Sequence, residues 1–108
     1  MSEIIAKYLS NYKKVVLIGK SFCPFCVKTE KLFNDLIKKN ILERSDFHVY
    51  YLDLIFKDNK KTISDIQDYL LSQNGIRTVP QIYINKKFIG DCSEIHNLHK
   101  NNELISLF

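Results

Sequence analysis

Two cysteines three positions apart, Cys23 and Cys26, enclose Pro24 and Phe25, and this short run is where residue type and spacing first imply chemistry. Proline is favoured at the first position of a helix, where its missing N–H goes unmissed, so Pro24 makes Cys23 the expected N-cap residue. A sulfur placed there faces backbone N–H groups that no carbonyl satisfies, at the positive end of the helix dipole. Both effects favour thiolate over thiol, and Lys20 adds positive charge nearby, so the pKa of Cys23 is expected to be depressed. One turn further on, the Cys26 side chain comes beside that of Cys23, within reach of a disulfide. Burial inside the helix is expected to keep Cys26 protonated until Cys23 has formed a mixed disulfide, which Cys26 then resolves. The predicted chemistry is thiol–disulfide exchange, with Cys23 attacking and Cys26 resolving.

Two other uses of the sulfurs are open on residue type alone. Cys23 and Cys26 with Cys92 and either His96 or His99 supply sulfur and nitrogen donors of the kind zinc takes tetrahedrally. Against it, Pro24 removes one of the backbone N–H groups that zinc-binding turns use around their sulfurs, and no second paired-cysteine motif is present. The other use is purely structural, as buried thiols.

The elements that must hold these residues follow from periodicity. Ile5, Tyr8, Leu9 and Tyr12 recur at helical spacing over residues 3 to 12, and Val15 to Gly19 is a short apolar run of the buried-strand kind. A helix opens at Pro24, carries Phe33, Leu36 and Ile37 on one face and ends near Asn40. Phe47 to Leu52 reads as a strand, rich in aromatic and β-branched residues. Ile63, Ile66 and Leu70 mark a third helix closed by Asn74-Gly75. Gln81 to Ile84 and Phe88-Ile89 form a hairpin around Asn85-Lys86-Lys87, and Ser93 is expected to cap a last helix bearing Ile95, Leu98 and Ile105. The order α-βαβ-α-ββ-α predicts an α/β fold in which a right-handed parallel crossover and a hairpin share one mixed sheet covered by helices. In such sheets ligands favour the carboxyl ends of strands, where the loop from Gly19 to Pro24 lies.

The totals narrow the class. A length of 108 residues suits one domain over residues 1–108, and a 45% hydrophobic, 26% charged composition fits a globular chain and excludes a disordered one. No apolar run approaches the roughly 20 residues needed to cross a bilayer, and the first residues lack the layout of a secretory signal, so a cytoplasmic protein with no membrane partner is expected. The net charge of +4 comes from dispersed lysine pairs, with no basic stripe interleaved with aromatics, which argues against a nucleic-acid partner. Three cysteines do not make the even-numbered framework of a stapled secreted domain.

Four separated motifs, Lys20-Ser21-Phe22-Cys23-Pro24-Phe25-Cys26, Ile66-Gln67-Asp68-Tyr69-Leu70, Arg77-Thr78-Val79-Pro80 and Gly90-Asp91-Cys92-Ser93-Glu94, occur in order. Together they resemble the dithiol glutaredoxins, of the thioredoxin-fold superfamily, from about Val15 to the last helix. The resemblance implies a thioredoxin fold with a mixed four-stranded sheet flanked by helices, and glutathione as co-substrate of a monomeric thiol–disulfide oxidoreductase. It implies no tightly bound cofactor and no metal, with glutathionylated or disulfide-containing proteins as partners. Lys20, Gln67 and Arg77 would hold the glycine carboxylate of glutathione. Pro80 resembles the family's cis-proline, leaving Val79 to pair with the cysteinyl part and Thr78 to flank it. Ser93 and Glu94 would meet the γ-glutamyl end, with Cys92 beside them and Phe25 at the rim. The chain departs from the family pattern at Phe25, where tyrosine is usual, at Asp91, where a second glycine is usual, and at Glu94, which lengthens an aspartate. Some relatives hold a [2Fe–2S] cluster between two subunits, an alternative that Pro24 disfavours. A thioredoxin-type reductase is the other alternative, disfavoured by the absence of tryptophan before Cys23.

Overall fold

The computed structural model describes residues 2–10, 13–57 and 59–108. Its elements run α1 (Ser2–Ser10), β1 (Val15–Gly19), α2 (Pro24–Lys38), β2 (Phe47–Tyr51), α3 (Leu52–Phe56), α4 (Lys60–Asn74), β3 (Gln81–Ile84), β4 (Lys87–Gly90) and α5 (Cys92–Lys100). The strands form one sheet in the order β2-β1-β3-β4, with β1 parallel to β2 and antiparallel to β3, and β3 antiparallel to β4. This is the mixed four-stranded sheet expected from the element order.

Strand β1 lies between two others, and all five of its residues are buried, which is why it reads as an unbroken apolar run. Its alternate side chains point to opposite faces. Val16 and Ile18 join Ile5 and Tyr8 of α1 and Ile63, Ile66 and Leu70 of α4 in one core. Val15 and Leu17 join Leu32, Phe33 and Leu36 of α2 and Ile95 of α5 in another. The sheet therefore separates two helical layers, and α2 and α5 lie on the same side of it.

Four expectations change. Strand β2 stops at Tyr51, and the fully buried Leu52 opens α3, a five-residue helix too short to show a period in sequence. The cap of α5 is Asp91, whose carboxylate accepts from the N–H of Glu94 at 3.0 Å, and Ser93 lies exposed inside the helix. Ile105 lies beyond α5, opening a 3-10 turn over Ile105–Leu107, and is exposed. Strand β4 is longer than Phe88-Ile89 by one residue at each end. Tyr12, expected on the first helix, lies outside the described residues. Gly75 closes α4 as expected, in the left-handed conformation with φ +82°.

Candidate active site

The carboxyl end of β1 delivers Gly19 and Lys20 to the start of α2. Cys23 is the N-cap residue of α2, extended at φ −86° and ψ 117°, with Pro24 inside the first turn. No side-chain hydrogen bond caps the helix, so its first N–H groups point toward the Cys23 sulfur. Partial burial pushes the Cys23 pKa up. The N–H of Cys26, the Cys26 thiol, the N–H of Phe25 and the Lys20 charge outweigh it, and the net shift is downward. The sulfur therefore ionises more readily than an ordinary thiol.

Cys26 behaves in the opposite way. It is fully buried, and burial first, then the neighbouring Cys23, push its thiol up to about 12, against a smaller lowering by the N–H of Lys20. That N–H lies 3.5 Å from the Cys26 sulfur. Gly19 makes room for it, since a Cβ there would sit 2.8 Å from the Cys26 Sγ. All three cysteines are free thiols.

The loop before Cys23 is fastened from β2's side. Asp53, in the first turn of α3, accepts from the backbone N–H of Ser21 at 2.8 Å and also from its hydroxyl. Slight burial raises the Asp53 carboxyl, but the Ser21 bonds outweigh it and hold the carboxyl below the usual range. Asp53 directly follows the segment Phe47 to Leu52 that reads as a strand in the sequence. In the fold it anchors the turn that carries Lys20 and Cys23.

Across from Cys23 stands the loop before β3. The Val79–Pro80 peptide is cis, and the Val79 carbonyl lies 3.8 Å from the Cys23 sulfur. Fully buried Gln81 braces this loop: its Nε2 donates to the carbonyls of Ile76 at 2.8 Å and Thr78 at 3.1 Å, while its Oε1 accepts from Asn74 at 2.9 Å. Sequence reasoning passed over Gln81. The signal was a glutamine heading an otherwise apolar strand directly after Pro80.

The remaining expected residues divide between two grooves. Phe25, Thr78, Val79, Pro80, Cys92 and Ser93 line a groove of about 590 Å³, together with Asp91 and His96. Lys20 and Gln67 line a second groove of about 420 Å³ that also includes Phe22 and Ser64. Arg77 and Glu94 line neither. The Arg77 guanidinium is held by Asp68 at 2.8 Å and Ser64 at 2.6 Å, and its carbonyl accepts from Gln67 at 3.1 Å. Glu94 packs on Gly90, where a Cβ would lie 2.6 Å from that of Glu94. Phe22 and Phe25, 71% and 62% exposed, flank Cys23 as an apolar rim. Among the described residues no group of three or more His, Cys, Asp or Glu side chains is arranged to hold a metal, and no helix is long and apolar enough to cross a membrane.

A sheet of this topology with a thiolate-favouring cysteine at a helix start, facing a cis-proline loop, defines a thioredoxin-fold thiol site. The glutaredoxin family model matches residues 15–89. The chain is 38% identical over 94 residues to glutaredoxin-1 of Bos taurus, covering 86% of this chain and 79% of that one. A wheat glutaredoxin crystal structure superposes with a TM-score of 0.72 at 36% identity, covering 98% of this chain and 86% of that one. A buckwheat glutaredoxin–glutathione complex superposes with a TM-score of 0.72 at 26% identity, covering 99% and 92%. The chain belongs to the glutaredoxin family, a family of oxidoreductases.

Proposed function

We propose that this protein is a glutathione-dependent thiol–disulfide oxidoreductase that reduces protein–glutathione mixed disulfides. The observation that carries this reading is the contrast of the two sulfurs, with Cys23 shifted toward thiolate and Cys26 held as a thiol behind it. The Cys23 thiolate attacks the glutathionyl sulfur, the mixed disulfide breaks, and the protein cysteine leaves with the electron pair and takes a proton. Cys23 is then bonded to glutathione. A second glutathione thiolate attacks that glutathionyl sulfur, forming oxidised glutathione and restoring the Cys23 thiolate. Across the cycle one glutathione thiol is consumed, and the glutathione carried in on the substrate leaves as the other half of the oxidised glutathione.

Protein disulfides need a different second step. Cys23 forms a mixed disulfide with one substrate sulfur, Cys26 loses its proton and attacks the Cys23 sulfur, and the substrate thiol departs. Reduction of the resulting Cys23–Cys26 disulfide consumes two glutathione molecules, the first forming a mixed disulfide with Cys23 as Cys26 leaves and the second releasing it as oxidised glutathione.

The glutathione roles follow the two grooves. Lys20 and Gln67 take the glycine carboxylate in one, and Val79, Thr78 and Pro80 take the cysteinyl portion beside Cys23 in the other. Ser93 and Glu94 at the start of α5 meet the γ-glutamyl end, with Cys92 beneath and Phe25 at the rim. Arg77 has Nε and one Nη2 N–H engaged by Asp68 and Ser64, and its other N–H groups are the ones open to the carboxylate. Turnover of a small glutathionyl disulfide with glutathione, glutathione reductase and a nicotinamide reductant tests the reading. Steady consumption of reductant that requires this protein supports it, and a rate equal to the background refutes it.

A further inference from the structure

Helices α2 and α5 enclose a second feature on the side of the sheet they share. Lys28, Lys31 and Asp35 follow one another along one face of α2 and Lys39 continues that face as its C-cap residue, and His96 and His99 face them from α5, around a groove of about 350 Å³. The buried Leu32 and Leu36 close its base. Three lysines oppose a single carboxylate, and none of the three makes an ion pair among the described residues. The Nε2 of His96 is buried with no hydrogen-bond partner. Burial first, then the charges of Lys28 and His99, lower the His96 pKa, a second sign that positive potential gathers here.

This groove adjoins the one beside Cys23, because Lys28 and His96 line both. Along α2, Lys28 lies about 7.5 Å and Lys39 about 24 Å beyond Cys23 at 1.5 Å per residue. An extended chain rising about 3.3 Å per residue covers that span in about two to seven residues. We propose that the α2–α5 groove receives an acidic segment of the protein half of a glutathionylated substrate, with Asp or Glu residues about two to seven positions from the modified cysteine. The inference rests on the thiol–disulfide reading above and adds to it a substrate class. Glutathione alone is too short to reach Lys31 and Lys39, so these lysines select among proteins and leave small disulfides unaffected.

Two synthetic glutathionylated peptides test it, identical except that one carries Glu where the other carries Gln at those positions. Each is turned over with glutathione and glutathione reductase by the wild-type chain and by Lys31→Glu/Lys39→Glu, two exposed sites outside the catalytic machinery. The expected result is a KM about tenfold lower for the acidic peptide with the wild type, a gap that narrows as salt rises. In the double variant that gap closes, while kcat and turnover of a small glutathionyl disulfide stay unchanged. Equal KM values for the two peptides with the wild type, or a gap that survives in the variant, would overturn the docking site alone. Failure of the wild type on the small disulfide would overturn the underlying reading and the docking site with it.

Discussion

Helix α2 begins at Cys23 with no side-chain oxygen on its first N–H groups, whereas α5 begins at Asp91 with a carboxylate already bonded to the N–H of Glu94. The two starts border the same groove. Their backbone donors are the same kind of group, used in different ways. At α2 they remain directed at a sulfur, where they stabilise negative charge on the attacking atom. At α5 one of them is spent on the helix's own cap, which stabilises the fold by about 1 kcal/mol and leaves fewer donors for a ligand carboxylate. Reactivity is thus concentrated at one helix end and stability at the other.

The largest effect comes from removing the sulfur at the first of these ends. Cys23→Ser is expected to bring turnover of a small glutathionyl disulfide down to background, because an alcohol does not ionise at neutral pH. Cys26→Ser is expected to keep that turnover and lose reduction of protein disulfides. Equal loss in both variants would break the division between the two sulfurs.

The next effect concerns the loop facing Cys23. Gln81→Leu fills the same buried space but takes the side-chain donor from the carbonyls of Ile76 and Thr78 and leaves the Asn74 amide with the Tyr83 hydroxyl alone. A loss of about 2–3 kcal/mol in denaturant unfolding is expected. A smaller change should follow Asp53→Ala, which frees the N–H and hydroxyl of Ser21. Here stability should fall by only about 1 kcal/mol, while alkylation of Cys23 at neutral pH slows severalfold. A melt that changes while the alkylation rate does not would make Asp53 purely structural.

The smallest effect belongs to the start of α5. Asp91→Gly removes a carboxylate from the groove and returns the N–H of Glu94 to solvent or ligand. The KM for glutathione is expected to fall about twofold to threefold, at a loss of a few tenths of a kcal/mol in stability. An unchanged or higher KM would show that the cap does not compete with the ligand.

The same contrast explains what the sequence made legible. Pro24 after Cys23 identified the start of α2, and the unbroken apolar run of β1 identified a central strand, because each signal is local and has one physical cause. The start of α5 reads two residues late, at Ser93, because serine is a good cap residue. Glu94, three residues after Asp91, completes a helix-start pattern that points to Asp91 instead. Helix α3 was hidden because five residues are less than two turns. Gln81 acts through bonds to Asn74, Ile76 and Thr78 in the irregular loop before it, and Asp53 through a residue far back in the chain, and neither partnership has a periodicity to read. Asp53 reaches back to Ser21 across the whole of α2 and β2.

The central claim is that the start of α2 holds Cys23 as a thiolate, and the rate of Cys23 alkylation as a function of pH, followed by mass spectrometry on the intact reduced protein, tests it most directly. Burial raises the Cys23 pKa and the helix N–H groups, the Cys26 thiol and Lys20 lower it by more. The rate should therefore rise with pH to a plateau whose midpoint lies below that of an ordinary thiol, with Cys26 unreactive throughout the same range. A midpoint at or above that of an ordinary thiol would contradict the account.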